Sequence, residues 1–139
     1  MLRESTLALS ASEILLESER IQVVKARYCR YLDGKQWREL LELFAPDCLF
    51  ELDPLERQHL PEPLRASTQL PLQSFMELLR TVLVSDAQSV HHVHAPEIEF
   101  SEAAIAHGIW AVEDYVTSTF GNFRGYGHYH ETYRKIDGS

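Results

Sequence analysis

The first part of the chain carries apolar residues at the three- and four-residue spacing that is typical of amphipathic helices. The first apolar stripe consists of Ile14, Ile21, Val24, Tyr28 and Tyr31. Ser10 followed by Glu13 fits a capping box, so we expect the helix to begin here. Asp33-Gly34 predicts its end, because glycine readily takes the left-handed conformation that follows a helix.

Two more helices and a short strand are predicted before the pattern changes. The second helix has an apolar face formed by Trp37, Leu40, Leu41 and Phe44. The third begins at Pro71 and has a stripe formed by Leu72, Phe75, Met76, Leu79 and Leu83. Between these helices, residues 48–52 are a strand candidate. Residues 53–70 are polar and contain several prolines, which predicts a flap loop over a pocket.

The second half of the chain changes from helical spacing to long runs of β-forming residues. Two strands are predicted over 89–100 and 103–117, around a tight turn at 101–102, and a third over 125–136 after a second turn. The run 103–117 is nearly continuously apolar, which predicts a central strand buried on both faces. Helices followed by an antiparallel sheet predict one α+β domain over residues 1–139, with helices on one face of the sheet and a loose N-terminus at 1–10.

Composition excludes several classes of partner. The formal net charge is -8 at pH 7, which argues against nucleic acid or an anionic membrane as the partner. No apolar run approaches the length of a membrane span, and no secretory signal pattern opens the chain, so we predict a cytoplasmic protein. Cys29 and Cys48 fit two buried free thiols in a reducing compartment.

The segment 89–100 carries the first candidate chemistry. Strand alternation sends His91 and Val93 to one face and His92 and His94 to the other. An imidazole gains and loses a proton near neutral pH, so a histidine that faces a pocket is a candidate acid–base group. A half-buried, hydrogen-bonded strand histidine with no catalytic role is the alternative.

Pairing the two strands symmetrically about the turn at 101–102 predicts which side chains share a face. In this register His91 lies opposite Val112, and Val93 lies opposite Trp110, while a slip of one residue would exchange the faces. This face has apolar walls and few polar groups, which is typical of a small-molecule pocket.

Two carboxylates are expected to complete this face. Asp114 lies two residues beyond Val112 on the same side of its strand, and Asp33 at the end of the first helix can reach over it. A carboxylate beside His91 would fix the orientation of the imidazole and favour its protonated form. A solvated Asp33 at a helix end, and Tyr28 as a core aromatic residue, are the alternatives.

The opposite face of the sheet collects the other histidines. They are His92, His94, His107, His128 and His130. Neutral imidazoles suit zinc, copper or iron, but no ligand spacing typical of a metal site stands out, so we predict no metal. A subunit interface is the alternative for this face.

Several motifs in order resemble a known family. They are Tyr28-x-x-x-x-Asp33-Gly34-Lys35-x-Trp37, Leu43-Phe44-Ala45-Pro46-Asp47, His91-His92-x-His94-x-Pro96-Glu97-Ile98, Gly108-Ile109-Trp110 with Asp114, and Gly125-Tyr126-Gly127-His128-Tyr129. Together they resemble the SnoaL-like branch of the nuclear transport factor 2-like superfamily, and within it the scytalone dehydratase and bile acid 7α-dehydratase group. The resemblance extends from about Glu13 onwards. It implies a cone-shaped α+β fold in which a curved antiparallel sheet wraps around N-terminal helices and a deep apolar cavity.

The resemblance also implies roles for individual residues. An Asp–His pair performs the proton transfers in these dehydratases, and the similar positions here are Asp33 and His91. Tyr28 and Asp114 resemble two further catalytic positions of the bile acid enzyme. The residues expected to contact the ligand are Trp110, Tyr129, Val93, Val112 and Phe50.

The chain departs from the family pattern in two places. Gly108 stands where scytalone dehydratase has a second cavity histidine. The sequence also stops at Ser139, before the last strand that such folds have, so an arginine that the bile acid enzyme draws from that strand has no counterpart. An absent last strand would leave an exposed sheet edge, from which we predict a homo-oligomer, most simply a dimer. A shortened form of the enzyme with compromised activity is the alternative.

These observations lead to two hypotheses of different class. The first is a cofactor-independent, dehydratase-like lyase that acts on a small cyclic or polycyclic hydroxylated compound by Asp–His acid–base chemistry. Isomerisation or ring closure would use the same residues. The second is a non-catalytic ligand-binding or assembly module of the same fold, because one fold hosts many functions.

Overall fold

In the residues that the structure describes, three helices precede a four-stranded antiparallel sheet, and this order confirms the predicted α+β class. The computed structural model describes residues 8–53, 69–119 and 121–137. The helices are α1 (Ala11–Asp33), α2 (Trp37–Leu41) and α3 (Leu72–Val82). The strands are β1 (Leu49–Phe50), β2 (Leu70–Pro71), β3 (Gln88–Val93), β4 (Glu97–Glu102), β5 (Ile105–Ser118) and β6 (Gly121–Arg134). Strands β1 and β2 pair with each other as a separate two-stranded ladder.

Helix α1 begins as predicted and ends slightly differently. Ser10 Oγ accepts a hydrogen bond from the Glu13 N–H at 3.2 Å, and Glu13 Oε2 accepts one from the Ser10 N–H at 2.8 Å, so the capping box is confirmed. Gly34 does not take the left-handed conformation, since its φ is -83°. Its N–H still donates to the Arg30 carbonyl, so the reversal falls one residue later, on Lys35 with φ 54°.

The predicted strand 89–100 is divided into β3 and β4 by residues 94–96. Pro96 has no N–H to donate to a ladder, which favours an interruption there. Both strands pair antiparallel with β5, whose opposite edge pairs along its whole length with β6. β5 is therefore the central strand, as predicted.

The predicted pairing register is wrong by two residues between β3 and β5, and by three residues over most of the β4–β5 ladder. The chain reverses at 103–104 rather than 101–102, and the β4–β5 ladder contains an irregularity between Phe100 and Glu102. As a result His91 pairs with Asp114, and Val93 pairs with Val112. A shift of two preserves which face each side chain of β3 occupies, so His91 and Val93 still share the face of Val112 and Asp114.

Burial differs between the two faces of β5. Ala106, Gly108 and Trp110 are buried, whereas His107 between them is exposed. The prediction of a strand buried on both faces is therefore wrong, and only the face that meets the helices belongs to the core. The core is formed mainly by residues of α1, α2, α3 and this inner face, with Leu32, Leu40 and Met76 fully buried.

Two predicted segments fall largely outside the described residues. They are the flap, of which 54–68 is not described, and the loose N-terminus, of which 1–7 is not described. In the part of the chain that is described, no helix is long and apolar enough to cross a membrane. Cys29 is buried and Cys48 is partly buried, and both are free thiols.

Candidate active site

Asp33 and His91, which are far apart in sequence, meet where the end of α1 packs on β3. The ring nitrogen Nδ1 of His91 lies 2.6 Å from Asp33 Oδ1. The same carboxylate accepts hydrogen bonds from the His91 N–H at 3.0 Å and from Ser89 Oγ at 2.9 Å. A carboxylate at a helix C-terminus is disfavoured by the helix dipole, so these partners also stabilise Asp33 where it stands. The predicted Asp–His pair is thus brought together and fixed in orientation.

Asp114 approaches the other nitrogen of the same imidazole. His91 Nε2 lies 3.4 Å from Asp114 Oδ2, since the two residues are direct cross-strand partners. The His91 side chain is only 8% exposed, while those of Asp33 and Asp114 are 24% and 31% exposed. One nearly buried imidazole therefore lies between two carboxylates that still reach solvent.

The two carboxylates set the protonation state of His91. Burial lowers the pKa of His91, but the hydrogen bonds with Asp114 and Asp33 outweigh it, so the pKa is raised above its ordinary value. The pKa of Asp114 is lowered, first by its hydrogen bond with His91 and also by the N–H of Gly125, against the opposing effect of burial. The resting arrangement favours an imidazolium whose Nδ1 donates to Asp33 and whose Nε2 faces Asp114.

A cavity of about 240 Å³ opens beside this group. His91 and Asp114 contribute its polar groups. The apolar part of its lining consists of Leu52, Phe75, Leu78, Leu79, Val82, Leu83 and Val116. An apolar cavity with a few convergent polar groups is the usual form of a small-molecule site.

A second cavity, of about 390 Å³, lies elsewhere between α2 and α3. Its lining consists of Leu41, Glu42, Phe44, Pro46, Pro71, Leu72 and Gln73. It is the larger of the two, but none of the acid–base residues predicted from the sequence contributes to it. The chemistry therefore points to the smaller cavity as the candidate active site.

Tyr28 and Tyr129 lie in a neighbouring aromatic cluster and do not line the smaller cavity. Their ring centroids are 6.1 Å apart in an edge-to-face arrangement. Burial, the largest cause, raises the pKa of Tyr28 well above its usual value and also raises that of Tyr129. Both phenols are therefore held in the protonated, hydrogen-bond-donating form.

A buried lysine beneath these tyrosines was not predicted from the sequence. Lys25 is 2% exposed, and its Nζ lies 4.2 Å and 3.9 Å from the ring centroids of Tyr28 and Tyr129. The same Nζ lies 2.9 Å from Glu131 Oε1. The position of Lys25 within the apolar stripe of α1 was the available signal that it is buried.

Trp110 and Gly108 lie in the core rather than at the cavity. Trp110 is 3% exposed, and its Nε1 donates to the Tyr133 hydroxyl at 2.8 Å. The space over Gly108 is occupied, because a Cβ there would lie 3.0 Å from the Tyr133 ring and 3.2 Å from Trp110 Nε1. Tyr133 in turn donates to Glu131 at 2.6 Å, which connects this group to Lys25.

The remaining residues predicted to contact a ligand also lie near the core. Phe50 stacks on Phe75 with ring centroids 3.7 Å apart, and Val93 packs against the core cluster. Val112 is partly buried and lies between Val93 and Gly127 in the sheet. Neither cavity is lined by these three predicted residues.

Ser89 is a partner of the site that sequence reasoning missed. It donates to Asp33 and lies two residues before His91, on the same face of β3. The two-residue spacing was therefore a usable signal.

On the outer face, His92 and His94 each lie 3.9 Å from Glu113 Oε1, and both are more than half exposed. Within residues 8–53, 69–119 and 121–137, no group of three or more potential ligands is placed to hold a metal ion.

Replacing Asp114 by Asn should lower the pKa of His91. The Asp114 carboxylate raises the pKa of His91, whereas burial lowers it. Without the carboxylate, the effect of burial is opposed only by Asp33. Nuclear magnetic resonance titration of the His91 imidazole in the wild type and in the variant measures the change. An unchanged His91 titration would show that Asp114 does not act on the ring in solution.

The same shift makes stability depend on pH. Because the folded pKa of His91 is raised, its contribution is fully present below the unfolded value of about 6.5 and is lost as pH rises through the folded value. The free energy of unfolding, measured with urea, should therefore fall as pH rises from the unfolded to the folded pKa of His91. The fall should be smaller in Asp114→Asn.

Comparison with known proteins places this fold in a family. The model of the SnoaL-like domain matches residues 13–139. A provisionally named scytalone dehydratase from Novosphingobium aromaticivorans is similar in structure, with a TM-score of 0.74, 22% identity, and coverage of 93% of this chain and 80% of that one. Hexachlorocyclohexane dehydrochlorinase LinA-type3 from Novosphingobium barchaimii has a TM-score of 0.73, 16% identity, and coverage of 94% and 84%. With this match over nearly its whole length, the chain belongs to the SnoaL-like domain family of the nuclear transport factor 2-like superfamily.

Proposed function

We propose that this protein is a cofactor-independent lyase of the dehydratase type, in which His91 transfers protons under the control of Asp33 and Asp114. The observation that carries the proposal is the imidazole held by Asp33 at Nδ1, with Nε2 and Asp114 at the wall of an apolar cavity. The structural relatives add support, because their names denote elimination of water and of hydrogen chloride.

The proposed reaction uses His91 first as a base and then as an acid. Neutral His91 removes a proton from a carbon next to a carbonyl or a conjugated ring, and the C–H electron pair forms the new double bond. The imidazolium then returns this proton to the departing hydroxyl, which leaves as water. Asp33 accepts the Nδ1–H, so Nε2 is the nitrogen that exchanges protons with the substrate. The longer contact of Asp114 to Nε2, at 3.4 Å, is the one that a substrate would displace.

This scheme sets the expected pH dependence. Only neutral His91 accepts a proton, and its pKa is raised, so the rate should increase as pH rises through that value. The cavity of about 240 Å³ with its leucine, valine and phenylalanine lining favours a small cyclic hydroxylated compound.

The tyrosines are proposed to contact the part of the substrate that extends beyond the cavity. Tyr28 would donate a hydrogen bond to a substrate oxygen as charge develops on it, and Tyr129 would support Tyr28 from the side. Apolar contacts with this same part of the substrate are proposed for Trp110, Val93, Val112 and Phe50, since none of the four lines the smaller cavity.

Hydrogen exchange at carbon tests the proposal before a product is known. Candidate hydroxylated carbonyl compounds are first screened for a rise in melting temperature, which reports binding whether or not turnover occurs. Bound compounds are then incubated in deuterated water and followed by proton magnetic resonance. A lyase or an isomerase exchanges the hydrogen next to the carbonyl, and only a lyase releases water. Binding without exchange in any ligand would instead support the binding-module hypothesis.

We also propose that the chain forms a homodimer through its sheet. In the described part of the chain, β6 pairs only with β5, and Tyr126 on the outer face is 85% exposed. Light scattering at micromolar concentration should give twice the chain mass. A monomer mass would contradict this proposal.

A further inference from the structure

Gly125 lies directly beside Asp114 in the β5–β6 ladder, on the face that carries His91. The Asp114 carboxylate folds over the bare backbone of this glycine. A Cβ on Gly125 would overlap Oδ1 of Asp114 and would lie 3.1 Å from its Cγ. No side chain fits at position 125 while Asp114 keeps this orientation.

The backbone conformation does not explain the glycine. Among the described residues, Gly121 is the one glycine with a positive φ, at 135°. Gly125 therefore has torsions that alanine adopts without strain. The N–H of Gly125 also helps to lower the pKa of Asp114, because it faces the negative charge of the carboxylate. The need for glycine here is therefore steric, and the three nearest atoms that a Cβ would meet all belong to Asp114.

We infer that Gly125 is a positioning residue of the acid–base site, whose bare backbone seats the Asp114 carboxylate and keeps its Oδ2 beside Nε2 of His91. This inference takes its catalytic meaning from the proposed function. A side chain at position 125 would turn the carboxylate away from the strand. His91 would then keep Asp33 as a partner and lose Asp114.

The chain offers a matched control on the same strand. Gly127 lies two residues further along β6, on the same face, and a Cβ there would meet no atom within 4 Å. Gly127→Ala thus adds the same methyl group to the same strand without touching Asp114. Any general effect of replacing a glycine in β6 should appear in both variants.

The first test is titration of His91 by nuclear magnetic resonance in Gly125→Ala and Gly127→Ala. We expect the pKa of His91 to fall in Gly125→Ala, in the same direction as in Asp114→Asn, and to stay unchanged in Gly127→Ala. A glycine with a merely structural role would leave the titration unchanged in both variants. That result would overturn the inference.

The second test is a double-mutant cycle on stability. Gly125→Ala should lower the urea midpoint in the wild-type background and should no longer do so in Asp114→Ala, where the overlapping carboxylate is gone. Equal losses in the two backgrounds would overturn the inference. If Gly125→Ala alone does not fold, recovery of folding in Gly125→Ala/Asp114→Ala supports the inference, and continued failure to fold overturns it.

These measurements do not depend on turnover, so the two proposals fail separately. Suppose that the titration and the double-mutant cycle give the expected results, but His91→Ala still catalyses exchange. The positioning role of Gly125 would then be supported, and the lyase proposal would be wrong. Exchange that requires His91, together with a His91 titration that is unchanged in Gly125→Ala, would do the reverse.

Discussion

Replacing His91 by Ala is expected to reduce turnover by about a hundredfold to ten-thousandfold, the usual contribution of a general acid–base group. Asp33→Asn should cause a loss in the same range, because Asn keeps the shape but cannot stabilise the imidazolium beside it. Steady-state rates with a ligand from the exchange screen measure both effects. The Asp33→Asn side chain can still accept the His91 N–H, so the melting temperature should change much less than the rate.

The double variant should be only slightly slower than either single variant. Asp33 and His91 act as one unit, and such residues have effects that do not add. The control is His94→Ala, which removes a largely exposed imidazole from the outer face and should leave the rate unchanged. Full turnover in His91→Ala, with ligand affinity intact, would remove the lyase proposal and favour a binding module.

Glu131→Ala is expected to lower the free energy of unfolding by about 3–5 kcal/mol, as is typical when one partner of a buried ion pair is removed. Lys25 is 2% exposed, and its Nζ lies 2.9 Å from Glu131 Oε1, so the variant leaves an ammonium group in the core without a carboxylate. Tyr133 also loses the acceptor of its hydroxyl. Urea unfolding gives the change from the midpoint and slope.

An exposed ion pair on the same strand provides the control. Arg134 lies 2.7 Å from Asp47, and both side chains are largely in solvent, so Asp47→Ala should change stability little. Lys25→Met combined with Glu131→Ala should recover much of the loss, since the unpaired charge is gone. If the double variant is as unstable as Glu131→Ala, the loss comes from packing and not from the charge.

The pH dependence of Glu131→Ala provides a second check. Burial, the largest cause, lowers the pKa of Lys25, and Glu131 opposes this effect. Without Glu131 the folded pKa should fall further, while the unfolded value stays at about 10.4. The unfolded chain then binds a proton that the folded chain lacks, so stability should rise with pH over this interval. A variant whose stability is flat there would contradict the assignment.

Local interactions explain why much of the fold was predictable. The capping box at Ser10 involves residues three positions apart, and it is present as expected. The faces of β3 and β5 follow from the two-residue period of a strand, so His91 was correctly placed with the inner residues although the assumed register was two residues out. The match to the family over residues 13–139 confirms the resemblance that the ordered motifs suggested.

Pairing between distant residues was decided by the tertiary structure. The break before Pro96 and the reversal at 103–104 moved the register by two, which placed His91 opposite Asp114 instead of Val112. The alternation of apolar and polar residues fixes which face of β3 a side chain occupies, and therefore excludes a shift of the β3–β5 register by an odd number of residues. Turn geometry and packing then select one of the remaining registers.

The same reason applies to the polar contacts that were missed or incomplete. Lys25 and Glu131 are 106 residues apart, and Ser89 and Asp33 are 56 apart, so no local spacing relates them. A buried charge requires a partner, and sequence alone can mark Lys25 as buried but cannot say which carboxylate it meets. The sequence by itself determined the elements, their faces and the Asp33 and His91 candidates. Only the folded chain decided that two carboxylates share one imidazole, because that contact depends on how α1, β3 and β5 pack together.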